Sequence, residues 1–120
     1  IDAYKEYLMV SGAGLAEQMK DFDYLLAVGE LFTMVAYGQL IIESAKMEGV
    51  PDEVMNQMFD VFVRDFTAFA IDLYGKPINT DAQIEKILKM VKRPVPNPEE
   101  FEKVLQEEVY SLVDVYTMNP

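Results

Sequence analysis

Residues 21–46 read DFDYLLAVGELFTMVAYGQLIIESAK, and this stretch decides the fold. Its apolar residues include Leu25, Leu26, Val28, Leu31, Phe32, Met34, Val35, Tyr37, Leu40, Ile41 and Ile42. They do not alternate as a half-buried strand would; they cover nearly every face of a helix. Asp21 or Asp23 supplies the N-terminal cap, with a charge that suits the helix dipole, and Gly49 closes the run. A helix that is apolar all round is either buried at the centre of a protein or crosses a membrane. Glu30 and Gln39 interrupt the run and acids lie near both ends, so the central position is expected. Gly29 and Gly38 fall about 180° apart around the helix at 100° per residue. Each costs about 1 kcal/mol relative to Ala. Their placement predicts close neighbours on both sides.

Working outward, glycine and proline cut the rest of the chain into helical segments. Toward the N-terminus, Ile1, Tyr4 and Leu8 have helical spacing until Ser11, Gly12 and Gly14 interrupt, so residues 1–14 form a linker or a short helix. Toward the C-terminus, residues 52–74 place Met55, Phe59, Phe62, Phe66, Phe69 and Leu73 on one face. Glu53, Gln57, Asp60 and Arg64 lie on the other, with Asp60 and Arg64 as an i,i+4 pair. Pro51 suits the first turn, while Gly75 and Pro77 stop the helix. Thr80-Asp81-Ala82-Gln83 is a capping box, followed by a stripe of Ile84, Ile87, Leu88 and Val91 that ends at Pro94. Asn97-Pro98 caps a last helix expected to bury Phe101, Leu105, Leu112 and Val115. No strand or hairpin signal intervenes. The expected fold is a single all-α domain, residues 1–120, an antiparallel bundle of four to five helices with short connections.

Composition excludes whole classes of chemistry. The 120 residues contain neither Cys nor His. A thiol nucleophile, a zinc–thiolate site, imidazole catalysis and a Ser-His-Asp triad are therefore ruled out. The formal charge of −11 repels phosphate backbones and anionic lipid, so neither nucleic acid nor a membrane is an expected partner. The sequence begins at Ile1 and shows no signal peptide, which leads to the expectation of a cytoplasmic fragment of a longer protein.

The chemistry-bearing candidates are few. Glu30 lies among Ala27, Met34 and Ile41, and Glu108 lies between Leu105 and Leu112, so each acid falls on an apolar stripe. Either the helix emerges from the core there or the acid is held by a cation such as Arg64, or it is a functional acid with a raised pKa. Lys86, Lys89 and Arg93 form a positive patch on one helical face, suited to a phosphate-bearing ligand or an acidic neighbour or, more simply, to the helix C-terminus. A carboxylate-bridged metal site lacks the Glu-x-x-His elements such bundles use, and the acids at helix starts serve as caps. The eight Met and seven Phe are expected in the core.

Several short words recur in order: Asp21-Phe22-Asp23-Tyr24-Leu25, Gly29-Glu30-Leu31-Phe32, Tyr37-Gly38-Gln39-Leu40, Val63-Arg64-Asp65-Phe66, Leu73-Tyr74-Gly75-Lys76-Pro77 and Tyr116-Thr117-Met118-Asn119-Pro120. This string, over about residues 15–120, resembles the C-terminal extension domain of a subset of bacterial acyl-CoA dehydrogenases. The resemblance implies a parent oxidoreductase of fatty acid metabolism that oxidises an acyl-CoA thioester at its α and β carbons. A glutamate takes the α proton in that family, FAD accepts hydride, and electron-transferring flavoprotein is the usual acceptor. It further implies a homo-oligomer and upstream domains that hold the flavin and the catalytic groups. No flavin, catalytic or metal motif of that family falls on this sequence, so no catalytic, cofactor-binding or metal residue is assigned, and the 120 residues alone are expected to be inactive. A free-standing helical interaction module, whose apolar helix over 21–46 docks a partner, is the alternative; a small enzyme built on Glu30 or Glu108 is the weaker one.

Overall fold

The computed structural model describes residues 1–117; Met118, Asn119 and Pro120, the end of the last family-like word, lie outside the described residues. The chain is all-helical. Among the described residues six α-helices form, against the four or five expected: α1 (Asp2–Ser11), α2 (Gly14–Gln18), α3 (Phe22–Glu48), α4 (Asp52–Tyr74), α5 (Asp81–Leu88) and α6 (Pro98–Val104). Of the linker or short helix expected over residues 1–14, the helix forms at Asp2–Ser11; Gly12 and Ala13 make a turn, and α2 adds a short second helix.

Local chemistry sets the boundaries. Asp21 caps α3 by accepting from the Asp23 and Tyr24 amides, and Gly49 ends it in the left-handed region at φ 67°, where glycine is strain-free. Thr80 and Gln83 form a reciprocal capping box on α5. Asn97 accepts from the Glu100 amide, with Pro98 opening α6.

α3 and α4 fold back on one another through residues 49–51. α5 packs on α1 and α4, and α6 on α4. The fully buried centre joins α1, α3, α4 and α5 through Tyr7, Tyr24, Leu31, Leu73, Ile87 and Met90. Thr67 on α4 pins the extended segment after α5, donating to the Lys92 carbonyl at 2.7 Å and accepting from its amide at 3.0 Å.

Four expectations need correction. α3 is not central: it buries Tyr24, Ala27, Val28, Leu31 and Gly38 against its neighbours and leaves the opposite side open. Gly38 does have the expected close neighbours, since a Cβ there would meet Phe59 at 3.7 Å and Phe62 at 3.8 Å, but nothing lies within 4 Å of one at Gly29. The Met and Phe residues are not all core, because Met9, Met47, Phe22, Phe32 and Phe101 are exposed. The last helix stops early, at Val104, and continues as a π turn (Leu105–Val109) and a 3-10 turn (Tyr110–Leu112) that leave Leu112 and Val115 exposed. Glu107 and Glu108 stand where a lengthening helix would carry the negative end of its dipole, which opposes its extension.

The result is open. The radius of gyration is 18.2 Å, against about 13.5 Å for a compact domain of this length. The accessible surface is 8553 Å², about 2,000 Å² more than a folded monomer of this mass exposes. Large apolar side chains are among those left open, with Phe22, Leu26, Leu40 and Met47 of α3 between 62% and 87% exposed.

Candidate functional site

The most organised polar chemistry is a buried knot where α1, α2 and the α4–α5 connection meet. Gln83 leaves its capping box inward. Its Nε2 donates to Ser11 Oγ at 3.0 Å and to Gln18 Oε1 at 2.7 Å; its Oε1 accepts from Gln18 Nε2 at 2.8 Å and from the Thr80 amide at 2.9 Å. That occupies both donors and both acceptors of the amide. Gln18 also donates to the Ile78 carbonyl at 2.9 Å, and Ser11 donates to the Tyr7 carbonyl at 2.7 Å.

A second chain of bonds continues to α3. Tyr24 donates to Asn79 Oδ1 at 3.0 Å, so the Tyr7 hydroxyl, 2.7 Å away, donates to Tyr24. Asn79 in turn donates to the carbonyls of Leu73 and Lys76. Burial pushes the pKa values of Tyr4, Tyr7 and Tyr24 above 10.0, most strongly at Tyr24. These phenols therefore stay protonated and bond as neutral groups at neutral pH. With every buried polar side-chain atom among the described residues satisfied, the knot is a clasp rather than a reactive centre.

The acids and cations singled out in the sequence do not converge on one site. Glu30 is exposed on α3, and Glu108 is exposed in the π turn, so neither lies in an apolar enclosure. The expected Asp60–Arg64 pair does not form; Arg64 instead bonds Asp65 at 3.3 Å. α5 ends at Leu88, so Arg93 lies beyond the helix and the positive patch is not a continuous face. Lys86 and Lys89 both reach Glu6 of α1, at 3.4 and 3.0 Å. Hydrogen bonds from Lys89 and then Lys86 hold the Glu6 carboxyl below its ordinary 4.5, and the Glu6 bond raises Lys89 above 10.5. The two lysines thus latch α5 to α1. No group of three or more acids placed to hold a metal occurs among the described residues.

An apolar cleft of about 240 Å³ runs between α3 and α4, lined by Met34, Val35, Ile42, Phe59, Phe62 and Phe66, with Lys89 and Lys92 at its margin. It is smaller than the pockets that enclose most ligands. Its aromatic wall is tilted, with Phe59 and Phe62 centroids 5.3 Å apart and Tyr37 5.8 Å from Phe62. No carboxylate lines it.

The remaining candidate is the outer face of α3. This helix has 27 residues and a mean hydropathy of 1.7 over its most apolar window, so by length and composition it is long and apolar enough to cross a membrane. Comparison with protein-family models, with curated proteins and with solved structures finds no match in any of the three.

Nothing in the residue pattern pointed to the knot. Gln83 was legible as a capping residue, but its second role depends on Ser11 and Gln18 arriving from more than sixty positions away. The open face was hidden by the same all-round apolarity that suggested a buried helix.

Proposed function

We propose that this chain is a non-catalytic packing domain, the C-terminal helical domain of an FAD-dependent acyl-CoA dehydrogenase, where it contributes to assembly or to substrate-side packing. The outer face of α3 carries the packing role: an apolar strip opposite the face that holds α4, on a molecule with about 2,000 Å² of excess surface. Extended exposed apolar faces mark surfaces that a partner covers. We read the helices as an antiparallel bundle that this covering completes.

The dehydrogenase assignment rests on the ordered words of the sequence. Two of them meet in space: Lys76, from the word ending α4, bonds Asp23, from the word opening α3, at 2.8 Å. Tyr24, from the same opening word, enters the buried clasp. In this reading FAD, the catalytic glutamate and the contact with electron-transferring flavoprotein belong to upstream domains, and the protein is cytoplasmic. No step of the oxidation is given to Glu30 or Glu108. A free-standing interaction module is the second reading, favoured by the same open face.

The absorbance spectrum of the protein encoded by the whole reading frame separates the two. Flavin bands that bleach on addition of acyl-CoA support the first reading. A colourless protein that ignores acyl-CoA leaves the interaction module.

A further inference from the structure

α3 carries two heptad seams. The inner one, Tyr24, Val28, Leu31, Val35, Gly38, Ile42 and Ala45, repeats at steps of four and three and faces the chain's own helices. The outer one, Phe22, Leu26, Gly29, Thr33, Ala36, Leu40, Glu43 and Met47, repeats the same steps on the other side and, apart from the half-buried Gly29, is exposed throughout. Steps of four and three in alternation are the pattern by which one helix receives the side chains of another. Seven of the outer eight residues are apolar or small, and the three small ones, Gly29, Thr33 and Ala36, lie together at its centre.

We propose that the outer seam of α3 docks antiparallel on the same seam of a second copy of this chain. The pairing is isologous, each residue meeting the one whose number completes a constant sum: 22 with 47, 26 with 43, 29 with 40 and 33 with 36, each adding to 69. Phe22 then meets the partner's Met47, and Leu40 fills the space over the partner's Gly29, where nothing lies within 4 Å in the single chain. Thr33 and the partner's Ala36 let the axes approach closely at the centre.

The flanking residues agree. In an antiparallel pair the positions on one flank meet the same flank of the partner, bringing Glu30 to the partner's Tyr37, Asp23 to Ser44, Phe32 to Gln39 and Leu25 to Lys46. No carboxylate faces another. A parallel pair would stack Glu43 on Glu43 inside the seam and Gly29 on Gly29 at its centre, adding a like-charge repulsion and leaving a gap. A stable interface takes about 800 Å² from each partner, less than half of the excess of about 2,000 Å² that the chain leaves uncovered. Two α3–α4 hairpins back to back make four antiparallel helices. A bilayer is the poorer occupant, because α4 covers the inner seam and Glu30 and Glu43 stand on the open side.

The proposal deepens the packing reading and is independent of the flavin, so its test uses this chain alone. Because the sequence has no Cys, single cysteines report cleanly. Gly29→Cys and Leu40→Cys chains are oxidised separately and as a mixture, beside sedimentation of the unmodified chain with and without anionic and neutral vesicles. The expected result is a dimer that stays off vesicles, with a disulfide formed only in the mixture, between the two different chains. Leu40→Glu, at an exposed site that leaves the helical circular dichroism unchanged, weakens the dimer about 100-fold, roughly tenfold for each of two buried leucines. A monomer at all concentrations overturns the proposal, as does flotation with vesicles or a disulfide formed by Gly29→Cys with itself. A colourless parent protein would overturn the dehydrogenase assignment and leave this result standing.

Discussion

Replacing Gln83 by Leu removes the centre of the buried clasp while nearly preserving volume. Four hydrogen bonds go, to Ser11, to Gln18 twice and to the Thr80 amide. Gln18 keeps its bond to the Ile78 carbonyl, but its Oε1 and one N–H become unpaired beneath the surface. Each unpaired buried group costs about 1–3 kcal/mol, and the lost half of the capping box about 0.5–1 kcal/mol more. The expected destabilisation is about 3–5 kcal/mol, a large share of the stability of a domain this size. With a urea slope of about 2 kcal/mol/M, the unfolding midpoint falls by about 2 M. Adding Gln18→Leu removes the orphaned partner, so the double variant loses about 1–2 kcal/mol less than the two single losses together. Urea titrations followed by circular dichroism at one fixed, low concentration measure all four chains. A midpoint drop below about 0.5 M for Gln83→Leu, or strict additivity in the double, would refute the account of the clasp.

Gly38→Ala is expected to stabilise the chain by about 0.5–1 kcal/mol, since the new methyl meets Phe59 at 3.7 Å in ordinary contact; a lower urea midpoint would show the α3–α4 contact to be tighter than described. Thr80→Ala loses the α5 cap and about 1 kcal/mol, whereas Thr80→Ser retains most of it, as thermal melts will report. On the alkaline side, Tyr4, Tyr7 and Tyr24 have folded pKa values raised above 10.0, and Lys76, Lys89 and Lys103 above 10.5. Their contribution is present below those ordinary values and is lost as pH climbs through the raised ones. Glu6 and Glu53 are lowered from 4.5, so theirs is present above that value and is lost as pH falls through the lowered one. Tyrosinate absorbance should therefore show the buried phenols ionising together with unfolding above pH 10; a smooth titration of all seven Tyr in the folded chain would contradict this.

Much of the local structure was legible because it is decided within a few residues. Asp21, Thr80 with Gln83, Asn97 with Pro98 and Gly49 mark helix ends by backbone chemistry alone, and the structure uses each as the sequence suggests. Tertiary placement was not legible in the same way. The apolar residues of α3 state that every side needs cover, but they do not state whether the cover comes from this chain. The inner seam finds it in this chain; the outer one does not. The last segment has helical periodicity through Val115, yet without a neighbour to reward it the helix loosens after Val104. The positive patch is divided for a related reason: Lys86 and Lys89 find an acidic neighbour in Glu6, distant in sequence, while Arg93 falls outside the helix that would have aligned it.

The central claim is that the outer face of α3 is covered in the working protein. Met9 on α1 and Met47 on α3 are 81% and 87% exposed in the single chain, so uncovered they should oxidise alike. The decisive measurement is the ratio of their oxidation rates under dilute peroxide, read by peptide mass spectrometry on the native protein. The account predicts that Met47 oxidises at least about fivefold more slowly than Met9, because the outer seam is buried against its partner. Equal rates would mean that the seam is bare in solution, and the packing role would have to be abandoned.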